Sequence, residues 1–248
     1  MKKVFLSVVI PCYNEERNLR IGALEKVAHY LAHQHYLWEA IIVDDGSRDA
    51  SREIVTEFIR EHKGFSLLKC KHQGKAAAVT NGVFKSKGSV ILFTDLDQAT
   101  PIDQIEKLLP YISRGFDVVI GSRNSKRAGA PFLRKAMATG FMLIRNIILD
   151  LGIRDTQCGF KAFSKEAASD IFSRLQVFNR NRIAYGSTVT AGFDVELLYL
   201  AKRIGYKIAE VDIDWYYQET RHVNPLKDSY ESLSDLVRIR LNSLRGVY

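Results

Sequence analysis

The chain has 248 residues, of which 46% are hydrophobic and 26% are charged, which is ordinary for a globular protein with a sizeable core and argues against disorder. Three cysteines, Cys12, Cys70 and Cys158, lack CxxC spacing, which argues against a disulfide framework and a cysteine zinc site. A formal net charge of +8 favours an anionic partner, which on charge alone could be a nucleotide, a phospholipid surface or nucleic acid.

Strands and helices alternate along the first half of the chain. Apolar and β-branched runs predict strands at 3–10, ended by Pro11, and then at 39–45, 65–69, 90–95 and 117–122. Apolar residues at helical spacing predict a helix after each of the first four strands, with Asp49 or Ser51 as a cap for the second helix. The alternation predicts an α/β fold with a mostly parallel, Rossmann-like sheet and helices on both faces.

The carboxyl ends of the predicted strands carry the most polar segments of this half. They read PCYNEE, VDDGS, TDLDQ and GSRN, so three of them carry acids and the fourth carries an arginine. Ligands of parallel α/β sheets bind outside the carboxyl ends of the strands. We therefore expect the functional site at this edge.

Asp95 and Asp97 follow the strand at 90–95 and are separated by one leucine. On an extended segment two such side chains project the same way, and Leu96 points back into the core. Converging carboxylates suit Mg²⁺ or Mn²⁺, with phosphate oxygens and water completing the coordination, although a solvated turn is the alternative. The Asp44–Asp45 pair likewise fits either simple turn chemistry or an acceptor for the donors of a nucleobase or ribose.

The segment between Val118 and Leu149 has no acid and six basic residues interspersed with large apolar ones. Such a helix suits the surface of an anionic membrane, and a core-packed helix with a solvated basic end is the alternative. No window is apolar for the roughly 18 to 20 residues that a bilayer span needs. The apolar start FLSVVI is too short for a signal peptide and is interpreted as the first strand. Three cysteines without CxxC spacing fit a reducing cytoplasm, which is the location that we expect.

Several other patterns receive no functional role. No GxGxxG follows the first strand, and Gly74–Lys75 lacks the upstream glycine and the following Ser or Thr of a phosphate loop. His29 and His33 share a helical face without a nearby carboxylate, and Cys158 has no histidine near it in sequence. We expect an exposed helix end at the histidines and a small buried thiol at Cys158.

Taken together, six motifs resemble family 2 glycosyltransferases with the GT-A fold. They are SVVIPCYNEERNL, IIVDDGSRDAS, HQGKAAAVTNGV, FTDLDQATP, VVIGSR and IRDTQCGFKAF, in the family's order and at about its spacing. The later GFDVELLYLAKRIGYKIAEV and DLVRIRLNSLRGVY look most like the dolichyl-phosphate glucosyltransferase and dolichyl-phosphate mannosyltransferase branch. The resemblance implies metal-dependent, inverting transfer of a hexose from a nucleotide sugar, UDP-glucose or GDP-mannose, to a polyprenyl phosphate lipid, with glucose preferred.

The resemblance also assigns roles to individual residues. It implies that the donor nucleotide is bound by Pro11, Tyr13, Glu15, Asp44, Asp95, Gln98 and Arg221. It implies that Mg²⁺ or Mn²⁺ is held by Asp95 and Asp97, and that Arg123 and Arg134 grip the acceptor phosphate. If the acceptor were instead a polysaccharide hydroxyl, a general base would be needed, and Asp194 is the first candidate.

The same resemblance suggests a catalytic domain at 1–215 and a C-terminal, membrane-facing amphipathic helical extension at 216–248. We expect a membrane surface and not nucleic acid as the large partner, with peripheral attachment at the cytoplasmic face. Close relatives carry membrane segments that this chain lacks, which leaves a separate anchoring subunit as an alternative means of attachment. A non-catalytic module that binds nucleotides or membranes is the alternative of a different class. The chain departs from the usual pattern at Leu96, where alanine is common, and at 177–194, which is longer than the usual link to the GFD motif.

Overall fold

The structure is a computed structural model that describes residues 3–123, 132–178, 191–217 and 225–248, with the backbone alone at 132–139, 141, 191 and 225–230. Strands in the described residues are β1 Leu6–Cys12, β2 Trp38–Asp44, β3 Phe65–Lys69, β4 Val90–Thr94, β5 Val118–Arg123, β6 Phe160–Ser164 and β7 Ile208–Ile213. Helices there are α1 Glu16–Arg20, α2 Ala23–Ala32, α3 Ser51–Glu61, α4 Lys75–Lys85, α5 Ile105–Ser113, α6 Phe132–Leu149, α7 Lys165–Ser173, α8 Ala191–Ile204 and α9 Pro225–Leu244.

The strands of the described residues form one sheet in the order β3-β2-β1-β4-β6-β5-β7. All neighbours are parallel except β6, which runs antiparallel to both β4 and β5. The chain builds outward from β1 through β2 to β3 and then crosses to β4 on the other side of β1. The carboxyl ends of β1 and β4 therefore flank a topological switch point, where doubly wound sheets open a crevice.

Helices cover both faces of the sheet, as predicted. Val8 and Ile10 of β1 belong to the apolar cluster under α2, α3 and α5, whereas Val9 between them belongs to the cluster under α4, α7 and α8. This alternation follows from the two-residue period of a strand, and it makes β1 apolar along its whole length. The predicted α/β class with a mostly parallel sheet is confirmed.

A smaller cluster joins α6, α8 and α9, and it includes Leu149, Tyr199, Leu236 and Ile239. Polar contacts reinforce it: the Tyr199 hydroxyl reaches Ser243 Oγ, and Tyr248 donates to Glu196 over 2.7 Å. The two outer helices α6 and α9 are therefore fixed to the body of the protein on their inner sides. Among the described residues no helix is both long and apolar enough to cross a bilayer.

One local prediction was wrong. Pro11 does not end β1, which continues to Cys12, because pairing with β4 stops at Val9 and the missing N–H of the proline lies where only β2 is adjacent to the strand. At the start of α3, Asp49 Oδ1 accepts from the N–H of Ser51, the first residue of the helix, at 3.0 Å. The other carboxylate oxygen of Asp49 and the hydroxyl of Ser51 accept from the backbone N–H groups of Glu16 and Glu15, which joins this turn to the loop after β1.

Helix α6, in the basic segment before residue 149, has an exposed apolar side and a buried side. Leu143, Ile144 and Ile147 are exposed on its outer side, and Ile147 is 83% exposed. Arg145, which we had counted among the basic residues of a surface helix, is 1% exposed. Its guanidinium donates to the carbonyl of Ile153 and, over 2.7 Å, to Thr156 Oγ1, so it fastens the helix to the segment before β6.

Candidate active site

A cavity opens at the switch point, above the carboxyl ends of β1 and β4. Its lining comes from the loop after β1, from the start of α4 and from the turn after β4, with Asp45 between them. The lining residues are Pro11, Cys12, Tyr13, Glu15, Asp45, His72, Gly74, Lys75, Ala78, Asp95, Leu96 and Asp97. The predicted residues Pro11, Tyr13, Glu15, Asp95 and Asp97 are thus brought together.

Asp95 and Asp97 meet through a turn and not through the extended segment that we had assumed. The N–H of Gln98 donates to the carbonyl of Asp95 at 3.3 Å, and Gln98 adopts a left-handed backbone conformation with φ of 51°. Asp97 Oδ1 accepts from the N–H of Ala99 at 3.0 Å, which fixes the second carboxylate. Leu96 is buried in the core between them, as predicted.

Gln98, a predicted nucleotide-binding residue, does not line the cavity. Its side chain is buried, and its amide donates to the carbonyl of Asp95 at 3.0 Å. Gln98 therefore stabilises the turn that presents the two carboxylates.

The carboxylate of Asp95 lies between a cation and a glycine. Lys75, the first residue of α4, places its ammonium 2.5 Å from Asp95 Oδ1. On the other side Gly159 approaches so closely that a Cβ there would lie 2.1 Å from Asp95 Oδ2. The charge and the position of Asp95 are thus set from two directions.

The carboxylates fit a hard divalent cation. In the part of the chain that the structure describes, no group of three or more His, Cys, Asp and Glu side chains could hold a metal by itself. Mg²⁺ in nucleotide enzymes is commonly held by one or two carboxylates, and substrate phosphates and water complete the coordination. Asp95 and Asp97 in one cavity match that donor set.

The two aspartates at the end of β2 have different partners and only one of them lines the cavity. Asp44, the predicted base-recognising acid, is buried, accepts from Arg52 Nε at 2.7 Å and from the N–H of Ser47 at 3.0 Å, and does not line the cavity. Asp45 does line it. Its carboxylate accepts from the N–H groups of Gln73 and Gly74, each at 2.8 Å, and contacts His72 Nδ1 at 2.9 Å.

An aromatic pair forms one wall of the cavity. The rings of Tyr13 and His72 stack with centroids 4.0 Å apart and planes 12° apart. Because His72 Nδ1 faces both the carbonyl and the carboxylate of Asp45, this nitrogen is assigned the proton. The wall is therefore held by the fold before any ligand arrives.

The predicted Arg123 and Asp194 lie outside this cavity lining. Arg123, at the end of β5, forms a bidentate ion pair with Asp155, with both Nε and Nη2 at 2.7 Å from its oxygens. Burial opposes the positive charge, but the hydrogen bonds and the charge of Asp155 prevail and raise the pKa of Arg123. Asp194 lies 2.6 Å from the ammonium of the fully buried Lys161, which gives it a structural partner.

Some predictions fall outside the described residues. Arg221 lies there, as does most of the long link at 177–194, and the side chain of Arg134 on the first turn of α6 is among those not described. Of the cysteines, Cys12 and Cys158 are buried, as we expected for Cys158, and burial raises the pKa of both thiols, that of Cys158 to about 11.

The sequence reasoning missed Lys75 and His72 as cavity residues, and it considered Asp45 only together with Asp44. It also missed Asp155 as the partner of Arg123. Lys75 belongs to the motif HQGK, but a lysine that follows a glycine does not by itself indicate a site. The position of Lys75 after a predicted strand and at the start of a predicted helix could have indicated that it lies at the site. Asp155 lies before β6, whose antiparallel direction the strand pattern did not predict.

Comparison with known proteins places this architecture among glycosyltransferases. The sequence model of glycosyl transferase family 2 matches residues 7–172. A dolichyl-phosphate beta-glucosyltransferase of Dictyostelium discoideum is 34% identical, over 99% of this chain and 76% of that protein. A human protein of the same name is also 34% identical, over 98% of this chain and 77% of its own length.

A solved structure shares the fold. It is glucosyl-3-phosphoglycerate synthase from Mycobacterium tuberculosis in complex with Mn²⁺, UDP and glucosyl-3-phosphoglycerate. The two chains are 19% identical, with a TM-score of 0.63 over 95% of this chain and 80% of that one. The fold is thus of the GT-A type, as the sequence motifs implied.

Proposed function

The chain belongs to glycosyl transferase family 2, and from this membership we propose that it transfers glucose from UDP-glucose, with inversion, to a polyprenyl phosphate of the dolichyl type at a membrane surface. The observation that carries the proposal is the cavity at the switch point, in which the Asp95–Asp97 turn faces the Tyr13–His72 wall. The similarity to dolichyl-phosphate beta-glucosyltransferases over nearly the whole chain supports this acceptor and this sugar.

The nucleobase and the diphosphate of the proposed donor match different residues of the cavity. The nucleobase lies on the Tyr13–His72 wall, where stacking needs no charge, and the diphosphate extends towards Lys75 and the carboxylates. UDP with Mn²⁺ in the M. tuberculosis relative supports this choice of ligands. Asp95 and Asp97 would hold Mg²⁺ or Mn²⁺, which would supply positive charge for the leaving nucleoside diphosphate.

The proposed acceptor does not require a general base. A phosphate monoester has a second pKa of about 6, so it is already a dianionic nucleophile at neutral pH. Its approach to a negative diphosphate needs positive charge placed in advance, and Arg123 and Arg134 are proposed to supply it. The engagement of Asp194 by Lys161 is consistent with chemistry that uses no carboxylate base.

A donor assay tests this function directly. The protein is incubated with a polyprenyl phosphate, with Mn²⁺ or Mg²⁺, and with either UDP-glucose or GDP-mannose. The lipid product is then separated and identified by its mass in mass spectrometry. We expect glucosyl lipid from UDP-glucose, none after chelation of the metal, and none from Asp97→Asn. Mannosyl lipid alone would overturn the choice of sugar, and no lipid product from either donor would overturn the proposal.

We also propose that α6 and α9 contact the bilayer. The outer side of α9 exposes Leu233, Val237, Leu241 and Leu244, and basic side chains such as Arg238 flank them. An aliphatic stripe beside cations suits the interface of an anionic membrane. Together with the exposed aliphatics of the neighbouring α6, it gives the chain a surface for peripheral attachment, with or without an anchoring partner.

Vesicle sedimentation tests the attachment. We expect Leu241→Glu to lower binding to vesicles that contain phosphatidylserine, because it places a charge in the stripe. Ile21→Glu is the matched control, since Ile21 is 65% exposed but lies beyond α1, in another part of the chain. Equal binding by wild type and Leu241→Glu would contradict the proposed surface.

A further inference from the structure

The guanidinium of Arg123 is held by a bidentate ion pair and by contact with an aromatic ring. Asp155 accepts from its backbone N–H at 3.0 Å and from Nε and Nη2 at 2.7 Å each. The guanidinium also lies over the ring of Trp215, with Cζ 5.7 Å from the centroid. Within the described ranges, none of these hydrogen bonds uses Nη1, so that end of the fork is left for a ligand.

Asp155 is itself fixed from two sides. On one side Glu210 of β7 accepts from the N–H groups of Asp155, at 2.8 Å, and of Arg154, at 3.0 Å. On the other side Arg145 of α6 donates to the residues that bracket Asp155 in the 153–156 segment. The carboxylate that receives Arg123 is therefore anchored to both β7 and α6.

Trp215 connects the same arginine to the carboxylate turn. It lies two residues beyond the end of β7, and the next residue, Tyr216, donates its N–H to the carbonyl of Ala99 at 2.8 Å. The N–H of Ala99 in turn donates to Asp97. The position of the ring over Arg123 is thus set relative to the metal-binding turn.

We propose that Asp155 and Trp215 are positioning residues that hold Arg123 for the acceptor phosphate, a statement that rests on the function proposed above. Asp155 occupies one edge of the guanidinium and Trp215 one face, which leaves the Nη1 end to the phosphate. A side chain held in advance loses little rotamer freedom on binding.

The test compares acceptor and donor binding in matched variants. Asp155→Asn keeps the shape of the side chain but weakens its grip, and misplacement of about 1 Å can cost on the order of 100-fold. We expect the KM for polyprenyl phosphate to rise roughly 10- to 100-fold, while UDP binding with Mn²⁺, measured by calorimetry, stays at the wild-type value. Asp212→Asn, which removes an exposed ion pair of Arg154 in the same network, should leave both unchanged.

A double-mutant cycle separates positioning from a general structural effect. In an Arg123→Ala background, Asp155→Asn should add little to the acceptor KM, because the residue through which it acts is gone. Additive effects, or an unchanged acceptor KM in folded Asp155→Asn, would overturn the inference. If Asp155→Asn does not fold, Trp215→Leu and Trp215→Phe carry the test, and we expect the acceptor KM to rise in the first and largely recover in the second.

The two proposals fail in different ways. Absence of lipid product from the wild-type protein would refute the function, and calorimetry with a short-chain isoprenyl phosphate would then compare wild type and Asp155→Asn directly. Weaker binding of that probe by Asp155→Asn would support the positioning role, and equal binding would refute it. Normal wild-type turnover with no change in Asp155→Asn would refute the inference alone.

Discussion

Replacement of Gly159 by alanine should displace the Asp95 carboxylate without disturbing the fold. The added Cβ would lie 2.1 Å from Asp95 Oδ2 and 2.7 Å from its Cγ, whereas ordinary contact begins near 3.4 Å. The carboxylate oxygen must therefore move by about 1.3 Å, the difference between 2.1 and 3.4 Å. Gly159 does not have a positive φ, so alanine meets no backbone strain there.

A shift of that size is large for a metal ligand, since workable sites keep their distances within about 0.2 Å. We expect Gly159→Ala to weaken UDP binding in the presence of Mn²⁺ by roughly 100-fold, or about 2.7 kcal/mol. Isothermal titration calorimetry measures this directly, and thermal unfolding of the same samples reports stability. Binding of UDP and Mn²⁺ by Gly159→Ala at the wild-type affinity would refute the placement of Asp95 in the metal site.

Two other glycines serve as controls. At Gly82 a Cβ would lie 2.4 Å from Val9 Cγ1 in the core, so Gly82→Ala should lower the free energy of unfolding by about 1 to 3 kcal/mol and spare UDP affinity. At Gly140, inside α6, a Cβ meets nothing within 4 Å, so Gly140→Ala should spare UDP affinity and raise the free energy of unfolding by about 0.5 to 1 kcal/mol. A loss of affinity in all three variants would point to a general effect.

Three further predictions concern buried or paired groups. Lys75→Gln should strengthen Mn²⁺ binding in the absence of nucleotide, because it removes a competing cation 2.5 Å from Asp95, and it should weaken UDP binding in the presence of Mn²⁺. Calorimetry measures both affinities, and a change of both in the same direction would contradict the prediction. Iodoacetamide at pH 8 should label Cys70 well before Cys158, whose pKa burial raises to about 11, and peptide mass spectrometry gives the order. Asp194→Asn leaves the buried Lys161 without its carboxylate partner and should lower the free energy of unfolding, measured by denaturant titration, by about 3 to 5 kcal/mol. If Asp194 were a general base instead, the variant would lose turnover while its stability stayed unchanged.

Much of the sheet could be predicted from its sequence because each parallel strand is apolar along its length. Val8, Val9 and Ile10 are all buried, and an apolar run of this kind that alternates with helical segments indicates a strand of a parallel sheet covered on both faces. The same logic placed Asp95 and Asp97 at a strand end, since the carboxyl edge of such a sheet collects its ligands.

Pairings between distant segments could not be predicted in this way. The choice between Asp44 and Asp45 depends on Arg52 and on the 72–74 loop, which capture one carboxylate each. Lys75 becomes part of the site because α4 starts beside β4, and Asp155 because β6 enters the sheet antiparallel. Alternation of apolar residues carries no information on strand direction, so these contacts needed the fold.

Two opposite parts of the cavity are positioned by different strands, β2 and β4. Asp45, at the end of β2, holds the loop that carries the His72 ring, whereas the paired carboxylates belong to the turn after β4. On the function proposed above, the nucleobase and the phosphates would be bound by separate parts of the cavity, with Lys75 between them. Substitutions in the 72–74 loop would then be expected to change the preferred nucleotide while the Asp95–Asp97 turn stays intact.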